Sequence, residues 1–345
     1  LNSKTRLNTA SLLSQFCYPK KGLFHVIQIS SWRANLDPVV GVAPERLQTR
    51  TTATTAKALV QLSNQPGRAI VTARTNHFLV ASAPSLGHPA EEINPLESML
   101  AALATCGIFV YEKAAQELTI PLESARAVVQ GDFDVRGLSG TADVDPRVQQ
   151  FRVHMTLVGP DATQAAQLVE QFSTRCPLYT TLIKSAPIVV TTNDEPIGGP
   201  VAEGLATGVV TATLTSEAGR AIVSVRNNNF VVDSPGALGG PNEEVNPLDL
   251  LLAAQGTCGA FLFEKVAQDQ GIMLTAASGV IEADFNPQGL KDGAVSPHIQ
   301  AMRVHWTITG PDQAQAQMLV DAWVKRCPIY NTLIRATDIA ISINE

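Results

Sequence analysis

Charge and aromatic side chains are scarce in this sequence. Of its 345 residues only 16% are Asp, Glu, Lys or Arg and 5% are aromatic, while 45% are hydrophobic. Soluble domains usually carry about 25% charge, so an unusually large share of this chain belongs to interiors or interfaces, and disorder over most of its length is excluded. Cysteine is rare too. Cys17, Cys106, Cys176, Cys258 and Cys327 are too few and too far apart for a disulfide framework, and none stands in a C-x-x-C zinc pair. Such usage fits a reducing compartment, here the cytoplasm, where a thiol is kept for its chemistry. A basic stripe is missing: 25 Lys and Arg stand against 31 Asp and Glu, a net charge of −6. Nucleic acid and an anionic membrane surface are therefore excluded as main partners. There is no Gly-rich phosphate loop and no Gly-x-Ser-x-Gly elbow.

The first 50 residues differ in kind. They hold seven basic and two acidic residues, a surplus of +5, which leaves −11 to the rest. The apolar stretch around Leu23 to Ile29 is too short and too interrupted for a signal or membrane segment. Residues 1–56 are read as a leader outside the fold. A disordered segment, a non-native upstream extension and an organellar transit peptide all fit its composition.

The remainder is one domain written twice. "GRAIVTARTNHFLV" from Gly67 returns as "GRAIVSVRNNNFVV" from Gly219, and "EEINPLESMLAALATCGIFVYEKAAQ" from Glu91 returns as "EEVNPLDLLLAAQGTCGAFLFEKVAQ" from Glu243, both with an offset of 152. "RCPLYTTLI" from Arg175 returns as "RCPIYNTLI" from Arg326 with an offset of 151. The copies span 57–195 and 209–345, joined by a linker at 196–208 within a stretch, 191–208, rich in Gly, Pro and acidic residues.

Each copy opens with β-rich segments, then a Pro/Gly loop that ends on a helix start signal: Asn94 caps, Pro95 takes the first helical position and Glu97 stands three residues after the cap, repeated by Asn246, Pro247 and Asp249. The helix that follows, to about Gln116 or Gln268, is apolar on nearly every side, which predicts a buried core helix. Phe151 to Leu157 alternate as a half-buried strand with His154 on its polar face, and His305 repeats it. Those histidines are expected to be solvated or bonded across strands. A second amphipathic helix runs to Cys176 or Cys327, where proline breaks it. The order of elements predicts an α+β fold with largely antiparallel sheets.

Four cysteines fall at matching positions, Cys106 with Cys258 on the buried helix and Cys176 with Cys327 at the end of the next. Free cysteine is often only a small buried apolar residue. Two thiols standing at matching places in both copies point to a working dithiol pair instead. Burial raises a thiol's pKa, so a cation must compensate. Arg74 and Arg226 on the repeated strand are the candidates, whereas Arg175 and Arg326 read as helix C-terminal caps. Gln255, one helical turn before Cys258, replaces Leu103 of the first copy; a buried amide must find hydrogen bonds, either with backbone across the copy interface or with the Cys258 sulfur or a water beside it.

The run "NPLESMLAALATC", the later "GP" strand-to-helix junction and "RCPLYTTL" seventy residues past the first cysteine resemble the OsmC/Ohr family of osmotically inducible and organic hydroperoxide resistance proteins. The resemblance covers both copies. It implies two OsmC-like domains folded as an intertwined pseudo-dimer, with antiparallel sheets around two central buried helices and sites drawn from both copies. By the same resemblance Cys106 and Cys258 match the reactive cysteine, Cys176 and Cys327 the resolving one, and Arg74 and Arg226 the activating arginine. The family's partner glutamate directly follows Asn-Pro, where this chain has Leu96 and Leu248. Glu97 and Asp249 stand one residue later, about 100° around the helix, which favours capping for them. The activity implied is a thiol-dependent peroxidase acting on hydroperoxides, organic ones favoured, and needing no metal or prosthetic cofactor. Its partners would be a hydroperoxide substrate and an external dithiol reductant, in that family often a lipoylated protein; further homo-oligomers stay open. The alternative is a non-catalytic relative that binds a small apolar ligand and keeps its cysteines for structure.

Overall fold

The computed structural model describes residues 53–88, 91–193 and 202–344. The leader expected over 1–56 lies outside the described residues up to 52, and its last three residues already belong to a strand. The first copy runs β1 (Thr54–Leu62), β2 (Arg68–Ala73), β3 (Asn76–Ala81), α1 (Pro95–Leu118), β4 (Ser124–Phe133), α2 (Val135–Ser139), β5 (Val148–Val158), α3 (Ala162–Arg175), α4 (Pro177–Leu182) and β6 (Ile188–Thr192). The second repeats it as β7 (Ala206–Leu214), β8 (Arg220–Val225), β9 (Asn228–Asp233), α5 (Pro247–Gln270), β10 (Ala276–Phe285), α6 (Gln288–Asp292), β11 (Ile299–Thr309), α7 (Gln313–Arg326), α8 (Pro328–Leu333) and β12 (Asp338–Ile343). Strand β7 takes 206–208 from the stretch expected as linker, whose residues to 201 lie outside the described ones.

The two copies exchange strands. One six-stranded sheet has the order β12-β11-β10-β1-β2-β3 and the other β6-β5-β4-β7-β8-β9, so each takes three strands from either copy. The seams are antiparallel, with Ala58 opposite Ile281 and Val129 opposite Val210. The exceptions to antiparallel pairing are β5 with β6 and β11 with β12, which are parallel because a helical crossover carries the chain back to the start of the strand.

Both long helices lie between the sheets. α1 packs on β4 and β7, α5 on β1 and β10, and the two pack on each other. This accounts for their all-round apolarity: each has a sheet on one side and a helix on the other. By length and composition both could cross a membrane, yet they are the interior of this protein. Each starts with the capping box read from the sequence. Glu97 donates its backbone N–H to Asn94 Oδ1 at 3.0 Å, and its Oε2 accepts from the Asn94 N–H at 2.8 Å; Asn246 and Asp249 repeat the arrangement.

The half-buried reading of β5 needs correction. Arg152 and His154 on its expected polar face are buried, Arg152 because both its terminal nitrogens bind Asp132 on β4. His154 Nδ1 shares a hydrogen bond with Thr191 Oγ1 at 2.8 Å, and His305 with Ser342 at 2.8 Å, the cross-strand role expected of them.

Packing beside the cysteines differs between the copies. Behind Cys258 stands Gly259, where a Cβ would come within 2.5 Å of the Trp306 indole, itself wedged edge-on against Trp323 at a centroid distance of 5.6 Å. The counterpart Gly107 would put its Cβ 3.1 Å from Phe172. Gly259→Ala is therefore expected to destabilise by about 1–3 kcal/mol through overpacking, and Gly107→Ala by clearly less. Urea unfolding of each variant measures the difference; equal costs would show that the indole yields as easily as the phenyl ring.

Candidate active site

Two cavities open beside the long helices, and each is walled by both copies. The larger, about 570 Å³, contains Cys106, Phe109, Pro177 and Arg74 from the first copy and Asp249 and Leu290 from the second. The smaller, about 530 Å³, contains Cys258, Phe261, Pro328 and Arg226 from the second copy and Glu97 and Leu138 from the first. The strand exchange produces this cross-assembly, since it brings the start of each long helix against the other copy's β2–β3 or β8–β9 turn.

The cysteines meet as pairs. Cys176 Sγ is 2.7 Å from Cys106 Sγ, and Cys258 and Cys327 are joined as a disulfide with Cα atoms 6.3 Å apart. Cys106 and Cys258 retain a little exposure, 5% and 4%, and line the cavities, whereas Cys176 and Cys327 are completely buried behind them. Cys176 ends α3 and caps α4, its sulfur accepting the Tyr179 N–H at 3.4 Å. Burial pushes the Cys176 thiol well above the usual range, and the adjacent Cys106 sulfur pushes it further. A thiol so placed stays protonated and meets no incoming molecule first.

Arg74 and Arg226 do not lie within a strand, as the sequence suggested. Each is the first residue of a two-residue hairpin turn and has positive φ, 55° and 51°. Glycine suits that conformation best, and an arginine there costs about 1 kcal/mol. Both turns put a guanidinium into a cavity. Arg74 donates from Nε and Nη2 to Asp249 Oδ2 at 3.0 and 2.8 Å, and from Nη1 to the Asn242 carbonyl at 2.8 Å. Arg226 grips Glu97 with two parallel bonds, Nε to Oε1 at 2.7 Å and Nη2 to Oε2 at 2.8 Å.

Glu97 and Asp249 thus do more than the capping expected of them. Each caps its own helix and holds the other copy's arginine, because the guanidinium arrives at the helix N-terminus. The pairs are unequal. Asp249 is one methylene shorter and serves the Asn246 N–H and Arg74 through a single oxygen. Burial raises its pKa against the pull of Asn246 and Arg74, while Glu97 holds the Arg226 guanidinium above its ordinary value.

Two expectations are corrected. Arg175 and Arg326 do not cap their own helices. Arg175 Nε donates to the Leu290 carbonyl at 3.0 Å and Nη1 to Glu117 at 2.7 Å, and Arg326 donates to the Leu138 carbonyl at 3.1 and 3.0 Å. α2 and α6 end with carbonyls that have no partner within the helix, and the arginines supply donors. Leu138 and Leu290 are cavity walls, so each arginine ties the chain just before a buried cysteine to the far wall of that cysteine's cavity. Nothing in the sequence beyond matching "RCP" signalled this.

Gln255 is completely buried, yet neither Nε2 nor Oε1 has a hydrogen-bond partner among the described residues, so the bond to the Cys258 sulfur is not formed.

The model of the OsmC-like protein family matches residues 87–192 and again 240–342, more than half of the chain. No curated protein matches it. Among solved structures, an organic hydroperoxide resistance protein OsmC from Legionella pneumophila is 23% identical, over 39% of this chain and 95% of that one, with a TM-score of 0.33. An OsmC like protein from Mycoplasma pneumoniae is 18% identical over 39% and 94%, TM-score 0.34. An organic hydroperoxide resistance protein from Elizabethkingia anophelis is 20% identical over 39% and 92%, TM-score 0.32.

Proposed function

Taking as premise that this chain belongs to the OsmC-like protein family, carried twice in one polypeptide, we propose that it is a thiol-dependent peroxidase that reduces organic hydroperoxides at two composite sites. The observation that carries this reading is the pairing, at each site, of a cavity-lining sulfur with a buried one, in a largely apolar cavity that also holds an arginine–carboxylate pair.

The chemistry follows from the positions. Ionised Cys106 attacks the distal oxygen of a hydroperoxide; the O–O bond breaks, the alkoxide takes a proton and leaves as alcohol, and Cys106 becomes a sulfenic acid. The buried Cys176 thiol then condenses with it, releasing water and forming a disulfide. Cys258 and Cys327 perform the same steps at the second site. An external dithiol returns each pair to thiols by exchange, so the sum is hydroperoxide plus dithiol giving alcohol, water and disulfide. Arg74 and Arg226, oriented by Asp249 and Glu97, supply positive charge where the thiolate and then the alkoxide carry negative charge. The apolar walls favour an organic tail over hydrogen peroxide. Action in the cytoplasm, where dithiol reductants are at hand, belongs to the same reading.

The test is stoichiometric. Fully reduced protein without added reductant is expected to consume two equivalents of cumene hydroperoxide per chain, one for each cysteine pair, with the loss of four thiols. No consumption would leave a non-catalytic relative whose cavities bind apolar ligands.

The cross-copy arginines give a second measurable effect. Arg175→Met removes the donor on the Leu290 carbonyl and frees that wall of the Cys106 cavity. In a Cys258→Ser background, kcat/KM for cumene hydroperoxide is expected to fall roughly tenfold, the size of effect a slightly misplaced wall produces. An unchanged kcat/KM would assign Arg175 to stability alone.

A further inference from the structure

The two cavities differ where they meet solvent. The Cys106 cavity extends along β1 past Lys57 and Leu59 and across to Thr72 on β2. The corresponding residues of the second copy are Val209, Thr211 and Ser224, and none of them lines the Cys258 cavity, which stops at Thr207 and Gly208. The extension sets one exposed apolar side chain beside a cation: Leu59 is 38% exposed, and the Lys57 side chain is 61% exposed.

That cation is the less committed one. Lys57 Nζ stands 3.7 Å from Glu282, across the strand pair. The same carboxylate is held more closely by Arg303 Nε at 2.9 Å, and Arg303 also grips Asp284. Arg74, the other cation of the cavity, is engaged by Asp249. At the matching place in the second site, Val209 lies opposite Gln130, and neither carries charge.

Resting on the peroxidase reading, we propose that the two sites divide substrates by charge: the Cys106 cavity takes an elongated amphiphile with an anionic end, recognised by Lys57, and the Cys258 cavity takes a neutral one. An acyl chain lies along Leu59 and the cavity floor, and its carboxylate reaches the lysine, a flexible point charge that asks for no fixed orientation.

Octanoate and octanol serve as probes, because they share a chain and differ in charge. The fully reduced, full-length protein is treated with iodoacetamide at increasing probe concentration, and protection of Cys106 and Cys258 is read separately by peptide mass spectrometry. Octanoate is expected to protect Cys106 at a concentration about threefold below octanol, the size of effect an exposed ion pair supplies. Cys258 in the same sample shows no preference for octanoate. Lys57→Val removes the preference at Cys106. The same ratio at both cysteines, a preference that survives Lys57→Val, or no protection by either probe overturns the proposal. The readout uses no hydroperoxide, so it stands apart from the cumene hydroperoxide assay, whose failure would strike the peroxidase reading alone.

Discussion

Replacing Cys106 and Cys258 together by serine is expected to abolish dithiol-dependent hydroperoxide turnover, a fall of at least about 10³-fold, because the serine hydroxyl has neither the acidity nor the softness of the thiol it replaces. Each single replacement is expected to leave the turnover of the other site, since the sites sit on different helices with separate cavities and separate partners. Replacing Cys176 and Cys327 gives a different signature. The first oxidation still occurs, but the sulfenic acid persists, reacts with a dimedone-type trap and is lost to further oxidation over successive turnovers. Turnover that survives the Cys106→Ser, Cys258→Ser double replacement would refute the assignment, whatever else the protein does.

The second large effect concerns folding. A chain truncated after 201 retains β1 and β4 but loses β10 and β7, the strands to which they pair along most of their length. Two central strands become open edges, and the apolar faces of α1 lose α5. Such a half is expected to be insoluble or to pair with a second copy of itself, in which each partner supplies the missing strands. Light scattering coupled to size exclusion decides the outcome. A stable monomeric half would falsify the view that the core is shared.

Much of the fold was legible because it depends on local chemistry. The capping box at Asn94 and Glu97, the proline at the first helical position and the break at Cys176–Pro177 each follow from neighbouring residues, and each stands where the sequence put it. The repeat made the positions of the four paired cysteines readable twice over. What escaped depends on partners far away in the chain. The sequence shows Arg175 at the end of a helix, and only the exchanged packing brings the Leu290 carbonyl to it from 115 residues away. Glu97 is readable as a cap but not as the holder of Arg226, because its own helix gives no sign of the turn that arrives from the other copy. The sequence around Arg74 and Arg226 reads as one strand because apolar residues continue on both sides, and only the positive φ reveals the turn. The spacing puts Gln255 on the Cys258 face of the helix but says nothing of whether its amide finds a partner there, and neither amide atom has one among the described residues.

The exchange of strands also sets a clock on the newborn chain. Thr55 hydrogen-bonds Asp284 at the seam of one sheet, 229 residues later in the sequence. At synthesis rates of about 5–20 residues per second, β1 leaves the ribosome roughly ten to fifty seconds before its partner exists. Over that interval β1 is a bare edge, whereas β4 waits only until β7 emerges, Thr207 meeting Asp132 across 75 residues, and the nearest strands complementary to β1 belong to neighbouring chains on the same message. Crowded polysomes therefore favour pairing between chains over pairing within one, and slow translation through the second copy would lengthen the exposure. The yield of correctly closed protein should fall as expression rate rises and recover when a chaperone covers the first copy until the second arrives.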